Sequence, residues 1–414
     1  MKTLISQAKI IDKRHGQNGE IVDILIEDGV IQKIGASISE AADEKIEGDG
    51  LCVSIGWMDM RANFRDPGEE YKEGISNGLK VAAKSGFTAV SLSPDTTPAV
   101  DNKGAVEYMK NRAKSSGVDI HPIGAVSVGL KGESMSEMYD MHQAGAVGFG
   151  DDKHPLNESG LLHRALLYTS NFDAPVLHFP YDSKLIPNGQ INEGTLSTSL
   201  GLKGIPAISE EMMVRRDLTL LEYTEGRLHL GPISSAISAE LADESRQKGL
   251  RVTTEVTAAH LAFSEEKLND FDSNFKLMPP LRTEENRKAL IAALKSGKID
   301  VISSDHSPED EEHKKLEFDL ANFGMAGMEL FFPMVLSAVG NEIPLDELVE
   351  KFSISPREIL GIDVPLIAEG EKANLTVFSI DESADPIKLQ TKGYNVPQAD
   401  QNFKGRVIRT FHSN

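Results

Sequence analysis

The two ends of the chain show an alternation of hydrophobic and polar residues that is typical of short β-strands. TLISQAKII (3–11) and DILIEDGVIQKIG (23–35) alternate in this way, and Asp28-Gly29 stands between two alternating runs, where a hairpin turn is expected. NLTVFSI (374–380) and GRVIRTF (405–411) continue the pattern near the other end. We therefore predict that residues 1–55 and 365–414 combine into one small β-sandwich.

Between these segments, hydrophobic runs of strand length alternate with stretches of helical periodicity. The strand-like runs are 56–60, 88–93, 119–127, 146–149, 175–179, 228–233, 252–256 and 301–304. Helical patterns lie at 73–83, 104–114, 158–169, 210–223, 235–248 and 284–294. Eight strands that alternate with helices over about 300 residues predict an α/β fold, a (β/α)8 TIM barrel, over residues 56–364.

Charge and cysteine content indicate which partners are disfavoured and which cellular compartment is expected. The 43 Lys and Arg residues against 64 Asp and Glu residues give a net charge of −21, which disfavours nucleic acid and anionic membranes as partners. Cys52 is the single cysteine, so no internal disulfide can form, and a reducing, cytoplasmic location is expected. No secretion signal and no apolar run of about 18 residues is present, so neither export nor membrane insertion is predicted.

A parallel barrel places its functional groups where the strands end, so the polar residues at these points are the first candidates. They are Arg61, Asn63 and Arg65; Asp95; Asp151 and Asp152; His178; His229 and Pro232; Glu255 and His260; and Asp305 and His306. Carboxylates and imidazoles are thus expected to converge on one mouth of the barrel.

Two interpretations of these residues remain open. Asp151, His178 and Asp305 could share a divalent cation, with Asp305 as a general base, or each could cap a helix or bind a loop. Arg61 cannot ligate a metal, because a guanidinium is always charged and only donates hydrogen bonds. It could instead take the place of the cation and neutralise Asp151 and Asp305, or it could be a solvent-exposed residue at a strand end.

Several long motifs resemble one known family. They are residues 55–90, SPDTTP (93–98), GAVGFGDD (145–152), 193–211, EVTAAHL (255–261), MPPLR (278–282), DVISSDHSP (300–308) and FGMAGMEL (323–330). Through these motifs the chain resembles dihydroorotases of the multifunctional-complex type, in the amidohydrolase superfamily. The resemblance implies a (β/α)8 barrel with a β-sandwich made from both termini, in agreement with the pattern above.

The resemblance also implies which residues would hold zinc, and several of these positions are substituted here. In active members the first barrel strand ends in His-x-His-x-Arg, and both histidines bind zinc. Here Arg61 and Asn63 replace the histidines, whereas Arg65 is kept at the position that binds the substrate carboxylate. The sixth-strand metal histidine corresponds to Pro232, which has no ligand atom.

Other ligand positions are retained. The bridging carboxylate corresponds to Asp151 or to Asp152, the fifth-strand histidine is His178, and the base and metal ligand of the eighth strand is Asp305.

The implied substrate site is altered too. Asp95 stands where the family has a substrate-binding asparagine, Met278 replaces a second asparagine, and Glu309 stands where a second histidine usually follows the eighth strand. A carboxylate at Asp95 would repel the anionic substrates carbamoyl-aspartate and dihydroorotate.

Two functions follow from the resemblance. The family reversibly cyclises carbamoyl-aspartate to dihydroorotate with a metal-bound hydroxide, and the hydroxide needs the metal. Since three histidine ligands are replaced, we expect catalysis to be absent or severely weakened, and zinc is the expected cofactor if the chain binds one at all. The chain would then be a structural or regulatory subunit that assembles with aspartate carbamoyltransferase and forms a homo-oligomer. The alternative is a working cyclic amidohydrolase with one zinc ion held by Asp151, His178 and Asp305.

Overall fold

The structure is a computed structural model that describes residues 1–113, 116–383, 389–397 and 403–412. In chain order, the strands are β1 (Lys2–Ile10), β2 (Ile21–Glu27), β3 (Val30–Gly35), β4 (Glu44–Ile46), β5 (Leu51–Ile55), β6 (Trp57–Ala62), β7 (Phe87–Leu92), β8 (Asp119–Gly124), β9 (Gly148–Phe149), β10 (Val176–His178), β11 (Ile191–Asn192), β12 (Gly204–Ile205), β13 (Leu228–Leu230), β14 (Val252–Thr257), β15 (Val301–Ser303), β16 (Leu375–Ser383) and β17 (Lys404–Phe411).

Eight of these strands form the parallel barrel that the sequence predicts. Their order is β15-β14-β13-β10-β9-β8-β7-β6, and every neighbouring pair is parallel. A parallel bridge between Ala62 and His306, just beyond β6 and β15, brings the first and last strands together. All eight strand-like runs of the sequence overlap one of these strands, so the barrel prediction is confirmed.

Helices cover the barrel in the intervals between strands. They are α1 (Ile75–Lys84), α2 (Lys103–Ala113), α3 (Met138–Ala144), α4 (Ser159–Thr169), α5 (Thr195–Leu200), α6 (Ile208–Thr224), α7 (Ala236–Gln247), α8 (Ala258–Ala262), α9 (Glu284–Lys295), α10 (Glu311–Lys314), α11 (Phe331–Val339), α12 (Leu345–Glu350) and α13 (Ser355–Leu360). The six predicted helices correspond to α1, α2, α4, α6, α7 and α9. In the described part of the chain, no helix is long and apolar enough to cross a membrane.

The terminal segments form one unit, as the sequence predicts. Their strands belong to one mixed sheet of seven, with the order β17-β16-β5-β1-β2-β3 and β4 paired to β1. Strand β16 from the C-terminal part pairs antiparallel with β5 from the N-terminal part. The two ends of the chain are therefore joined by backbone hydrogen bonds.

An aromatic cluster anchors this sheet to the barrel. Trp57, at the start of β6, is fully buried and lies 5.4 Å from Phe378 of β16 and 4.9 Å from Phe332 of α11, measured between ring centroids. Arg357 of α13 is also buried and donates hydrogen bonds to the backbone oxygen of Gly56 and the hydroxyl of Thr88. The barrel is thus held firmly at the end opposite its mouth.

Candidate functional site

The end of β6 brings a buried arginine into the mouth. Arg61 is only 8% exposed, and its Nη1 lies 2.6 Å from Oδ1 of Asp152. Its Nε donates to Oε1 of Glu255, on β14, and its Nη2 donates to the backbone oxygen of Gly231 at 3.0 Å. Arg61 of β6 therefore contacts residues on or just after three other barrel strands, β9, β13 and β14. Of the two interpretations of Arg61, burial at the mouth agrees with this geometry, but the carboxylates that it contacts are Asp152 and Glu255 and not the expected Asp151 and Asp305.

The charges in this cluster stabilise one another. Burial alone would lower the pKa of Arg61, but the charges of Glu255 and Asp152 raise it above its ordinary value. Burial alone would raise the pKa of Glu255, but Arg61 and His229 lower it to about 2. Glu255 is thus ionised at neutral pH, although its side chain has no contact with solvent.

A glycine makes the close approach of Arg61 and Glu255 feasible. A Cβ atom on Gly231 would lie 2.2 Å from Cγ of Glu255, which is far inside any allowed contact. Pro232 follows directly and offers no ligand atom. The loop after β13 is therefore shaped around the Arg61–Glu255 pair.

Asp151 and Asp152 are neighbours in sequence but have different surroundings. Asp151 accepts hydrogen bonds from the backbone N–H groups of Val126 (2.7 Å) and Ser127 (3.0 Å) and from the Ser127 hydroxyl. Asp152, with a positive φ of 49°, contacts Arg61 and accepts from Ser93 Oγ at 2.6 Å. The structure places Asp152, and not Asp151, in the cluster at the mouth.

His178 does not contact the Arg61 cluster. Its Nδ1 lies 2.6 Å from Oδ2 of Asp217, and its Nε2 accepts a hydrogen bond from the backbone N–H of Leu156 at 3.0 Å. The side chain is 1% exposed. Both ring nitrogens of His178 are therefore hydrogen-bonded within the protein.

A second cation pairs with Asp305. Lys153 Nζ lies 2.9 Å from both carboxylate oxygens of Asp305 and also donates to the backbone oxygen of Met278 at 2.8 Å. Burial raises the pKa of Asp305, although Lys153 and Arg61 act in the opposite direction. We did not predict a role for Lys153, even though it directly follows the two aspartates at the end of β9.

Arg65, the residue at the substrate-carboxylate position, is paired inside the protein. Its Nη2 lies 2.7 Å from Oε1 of Glu309 and 2.8 Å from the Ser307 hydroxyl. Lys72 Nζ lies 2.9 Å from the other oxygen of Glu309, and Glu309 is only 2% exposed. The guanidinium of Arg65 is thus already paired with a carboxylate of the protein itself. Without Glu309 it could bind the carboxylate of a substrate.

Asp95 and Asn63 lie beside this arrangement. The nearest contact between Asp95 and Arg65 is 4.0 Å, and His154 Nε2 lies 3.1 Å from Oδ1 of Asp95. Asn63 donates to the backbone oxygen of Asp95 at 2.7 Å and accepts from the backbone N–H of Arg65 at 2.8 Å. Asn63 therefore positions a loop at the mouth.

The immediate surroundings of Arg61 and Asp152 contain little free space. A cavity of about 20 Å³ lies there, lined by Met60, Arg61, Ser93, Pro94, Ile123, Gly150, Asp152 and Leu177. This volume is roughly that of one water molecule.

His260 gives this region a testable response to pH. The ring is buried between the Thr257 hydroxyl (2.7 Å from Nδ1) and the backbone oxygen of Pro279 (3.1 Å from Nε2), and burial lowers its pKa to about 3. Since the unfolded chain binds a proton near pH 6.5 and the folded chain does not, stability is lost as the pH falls below 6.5.

We expect wild type to lose about 1–2 kcal/mol more than His260→Gln between pH 7 and pH 5, because glutamine takes up no proton. Urea unfolding of both proteins at these two pH values measures the difference. Parallel losses in the two proteins would contradict the assignment of a buried, neutral His260.

Comparisons with known proteins place this architecture in a class. The family model described as "Amidohydrolase family" matches residues 213–410. The L-hydantoinase (dihydropyrimidinase) of Arthrobacter aurescens superimposes with a TM-score of 0.84 over 99% of this chain and 96% of that one, at 21% identity. The class of protein is therefore an amidohydrolase-type (β/α)8 barrel.

The particular family follows from the sequence relatives. The model described as "Dihydro-orotase-like" matches residues 51–238. A dihydroorotase of Ruminiclostridium cellulolyticum is 39% identical over 96% of this chain and 94% of its own length. One of Acetivibrio thermocellus is 39% identical over 98% and 96%. The chain belongs to the dihydroorotase family.

Amidohydrolases usually depend on a metal, commonly zinc, so the donor atoms at the mouth must be tested against that requirement. Arg61 has no lone pair to offer, both nitrogens of His178 are bonded, and Asp152 and Asp305 each face a cation at 2.6 and 2.9 Å. These residues, arranged as they are, do not fit a metal centre.

One other set of residues has the composition of a metal site. Among the described residues, Glu309, Asp310 and His313 bring three possible ligand atoms within 4.8 Å of one another. However, Glu309 pairs with Arg65 and Lys72, and Oδ1 of Asp310 lies 2.5 Å from Nδ1 of His313. This set is explained by its internal hydrogen bonds and ion pairs.

Proposed function

We propose that this chain is a dihydroorotase homologue that does not catalyse the family reaction and serves as a structural or regulatory subunit. The observation that carries the proposal is the pairing of the mouth carboxylates with cations of the chain itself. Arg61 compensates Asp152 and Glu255, and Lys153 compensates Asp305. A buried carboxylate needs a compensating cation, and here no metal is required for that purpose.

The pairing of Arg65 with Glu309 supports the same proposal, because it opposes binding of an anionic substrate. Binding of an anionic substrate through Arg65 would have to displace Glu309, which is buried and also bonded to Lys72 and Asn322. Displacement would leave a buried carboxylate without one of its partners, which costs several kcal/mol. The substrate carboxylate therefore competes with a group that the fold already holds in place.

We further propose that the partner is aspartate carbamoyltransferase, the preceding enzyme of pyrimidine synthesis, and that the chain takes part in this assembly as an oligomer. Retention of the whole barrel and the terminal sheet, without a usable set of ligands, is what a subunit kept for its surface would require.

A working hydrolase is the second candidate, and a specific observation favours it. The curated relatives that match nearly the whole chain at 37–39% identity carry the name dihydroorotase. In that case Asp151, His178 and Asp305 would hold the metal and Asp305 would act as the base, with Arg61 and Lys153 no longer paired with the carboxylates at the mouth.

The deciding experiment is metal analysis by mass spectrometry on protein purified without chelator, together with a dihydroorotase assay with and without added zinc. We expect less than stoichiometric metal and no turnover above background. The Ruminiclostridium cellulolyticum relative, purified in parallel, is the control for metal retention and assay conditions. Stoichiometric metal with turnover that disappears in Asp305→Ala would overturn the proposal in favour of the hydrolase.

A further inference from the structure

Two loops next to the mouth expose a group of large apolar side chains. Phe271, after α8, is 46% exposed, and Leu316 and Leu320, after α10, are 45% and 63% exposed. The two loops touch, because the Phe271 and Phe318 rings are 6.2 Å apart and Ser273 Oγ donates to the backbone oxygen of Lys314 at 2.7 Å. We call Phe271, Leu316 and Leu320 the apolar patch.

Two buried lysines donate hydrogen bonds to the backbone of the loop after α10, which carries Leu316 and Leu320. Lys276 Nζ donates to the backbone oxygens of Phe318 (2.7 Å), Asp319 (3.2 Å) and Ala321 (2.6 Å). Lys314 Nζ donates to those of Asn322 (2.8 Å) and Gly324 (3.2 Å). Both lysines are 1% exposed.

Each ammonium would be costly to bury without these bonds, so the loop has one favoured conformation. In this conformation Phe318 is buried, whereas Leu316 and Leu320 point outward. The exposure of the two leucines is therefore imposed by the loop.

The backbone at Phe271 gives an independent indication. Its φ is +57°, a left-handed conformation that costs a bulky residue free energy of about 1 kcal/mol or more. The fold tolerates this strain although the Phe271 ring remains 46% exposed to solvent. Strain combined with exposure of an aromatic side chain is typical of binding surfaces.

Three acidic residues flank the apolar patch in the sequence, whereas the one exposed lysine beside it, Lys315, is paired with Glu311. Asp270, Glu317 and Asp319 are exposed, and none of these three side chains has an ion-pair partner among the residues that the structure describes. A second copy of this chain would bring the same carboxylates face to face, and like charges disfavour such an interface. The surface instead matches a partner with an apolar contact area bordered by lysine and arginine.

We propose that the apolar patch and its acidic border form the docking surface for a different protein, one that presents apolar side chains within a basic border. This inference rests on the proposed function for the identity of that protein, which is the carbamoyltransferase subunit. The mouth of the barrel then lies beside the interface, and the loops that would otherwise admit substrate serve to bind the partner.

Sedimentation velocity and biolayer interferometry with aspartate carbamoyltransferase from the same organism test the inference. The test variants are Leu316→Ser/Leu320→Ser and Glu317→Lys/Asp319→Lys. The matched control is Leu366→Ser/Asp363→Lys, because Leu366 is 51% exposed and Asp363 is exposed in the loop between α13 and β16. Circular dichroism and thermal unfolding check that each variant is folded.

We expect wild type and the control to bind alike, and each test variant to bind at least about tenfold more weakly. We also expect binding to weaken with added salt, and less so in the charge-reversal variant. Equal binding by the test variants and wild type would overturn the docking surface and leave the proposed function intact. Absence of binding by folded wild type would overturn the proposed partner, and with it this inference.

Discussion

Replacement of Arg61 by methionine is expected to lower the free energy of unfolding by about 3–5 kcal/mol, because it leaves Asp152 and Glu255 buried without their cation. Methionine keeps most of the side-chain length, so the loss reports on charge and hydrogen bonding more than on packing. Urea unfolding at pH 7, with the slope compared between proteins, measures the change.

Two comparisons make this result specific. Arg251→Met is the control, because Arg251 is 50% exposed and its ion pair with Asp173 should contribute no more than about 1 kcal/mol. Arg61→Met combined with Glu255→Gln and Asp152→Asn should recover much of the loss, since the carboxylate charges are then absent. A loss in Arg61→Met no greater than that in Arg251→Met would show that the mouth carboxylates are stabilised by something other than Arg61.

The Glu309→Ala variant is expected to lose about 3 kcal/mol or more, because both Arg65 and Lys72 lose a buried ion-pair partner. Glu312→Ala is the matched control, since Glu312 lies three residues further along the chain, in α10, and is exposed. Thermal or urea unfolding of the two variants gives the comparison.

A binding measurement separates the role of Glu309 in stability from its role in occupying Arg65. Calorimetric titration of Glu309→Gln with carbamoyl-aspartate should give binding at least about tenfold tighter than in wild type, because the neutral amide holds Arg65 less strongly. Unchanged binding in a folded Glu309→Gln protein would mean that Glu309 does not restrict access of a carboxylate to Arg65.

The regular elements could be predicted because their periodicities are strong. The six predicted helices and eight barrel strands each carry enough hydrophobic residues at the right spacing to stand out in the sequence. Short helices such as α5 and α8 have only six and five residues, fewer than two turns, so they show no periodic pattern.

The site was harder to predict, for three physical reasons. Adjacent residues can point in opposite directions, so sequence alone left Asp151 and Asp152 as alternatives, and the contacts of Asp152 with Arg61 and Ser93 distinguish them. Lys153 is not a residue type that binds metals, so a search for ligands does not find it, although a cation directly after two aspartates is a usable signal. The pairing of Arg65 with Glu309 joins residues 244 positions apart, which only the closed barrel brings together.

The cation at the mouth is part of the polypeptide, and this has a consequence for the protein in the cell. A zinc enzyme acquires its cation from a limited cellular supply, and its maturation depends on that supply. Arg61 is synthesised with the chain and remains charged at any physiological pH. On the proposed function, the barrel does not need zinc to neutralise the carboxylates at its mouth, and zinc starvation is therefore expected to leave the amount of correctly folded protein unchanged.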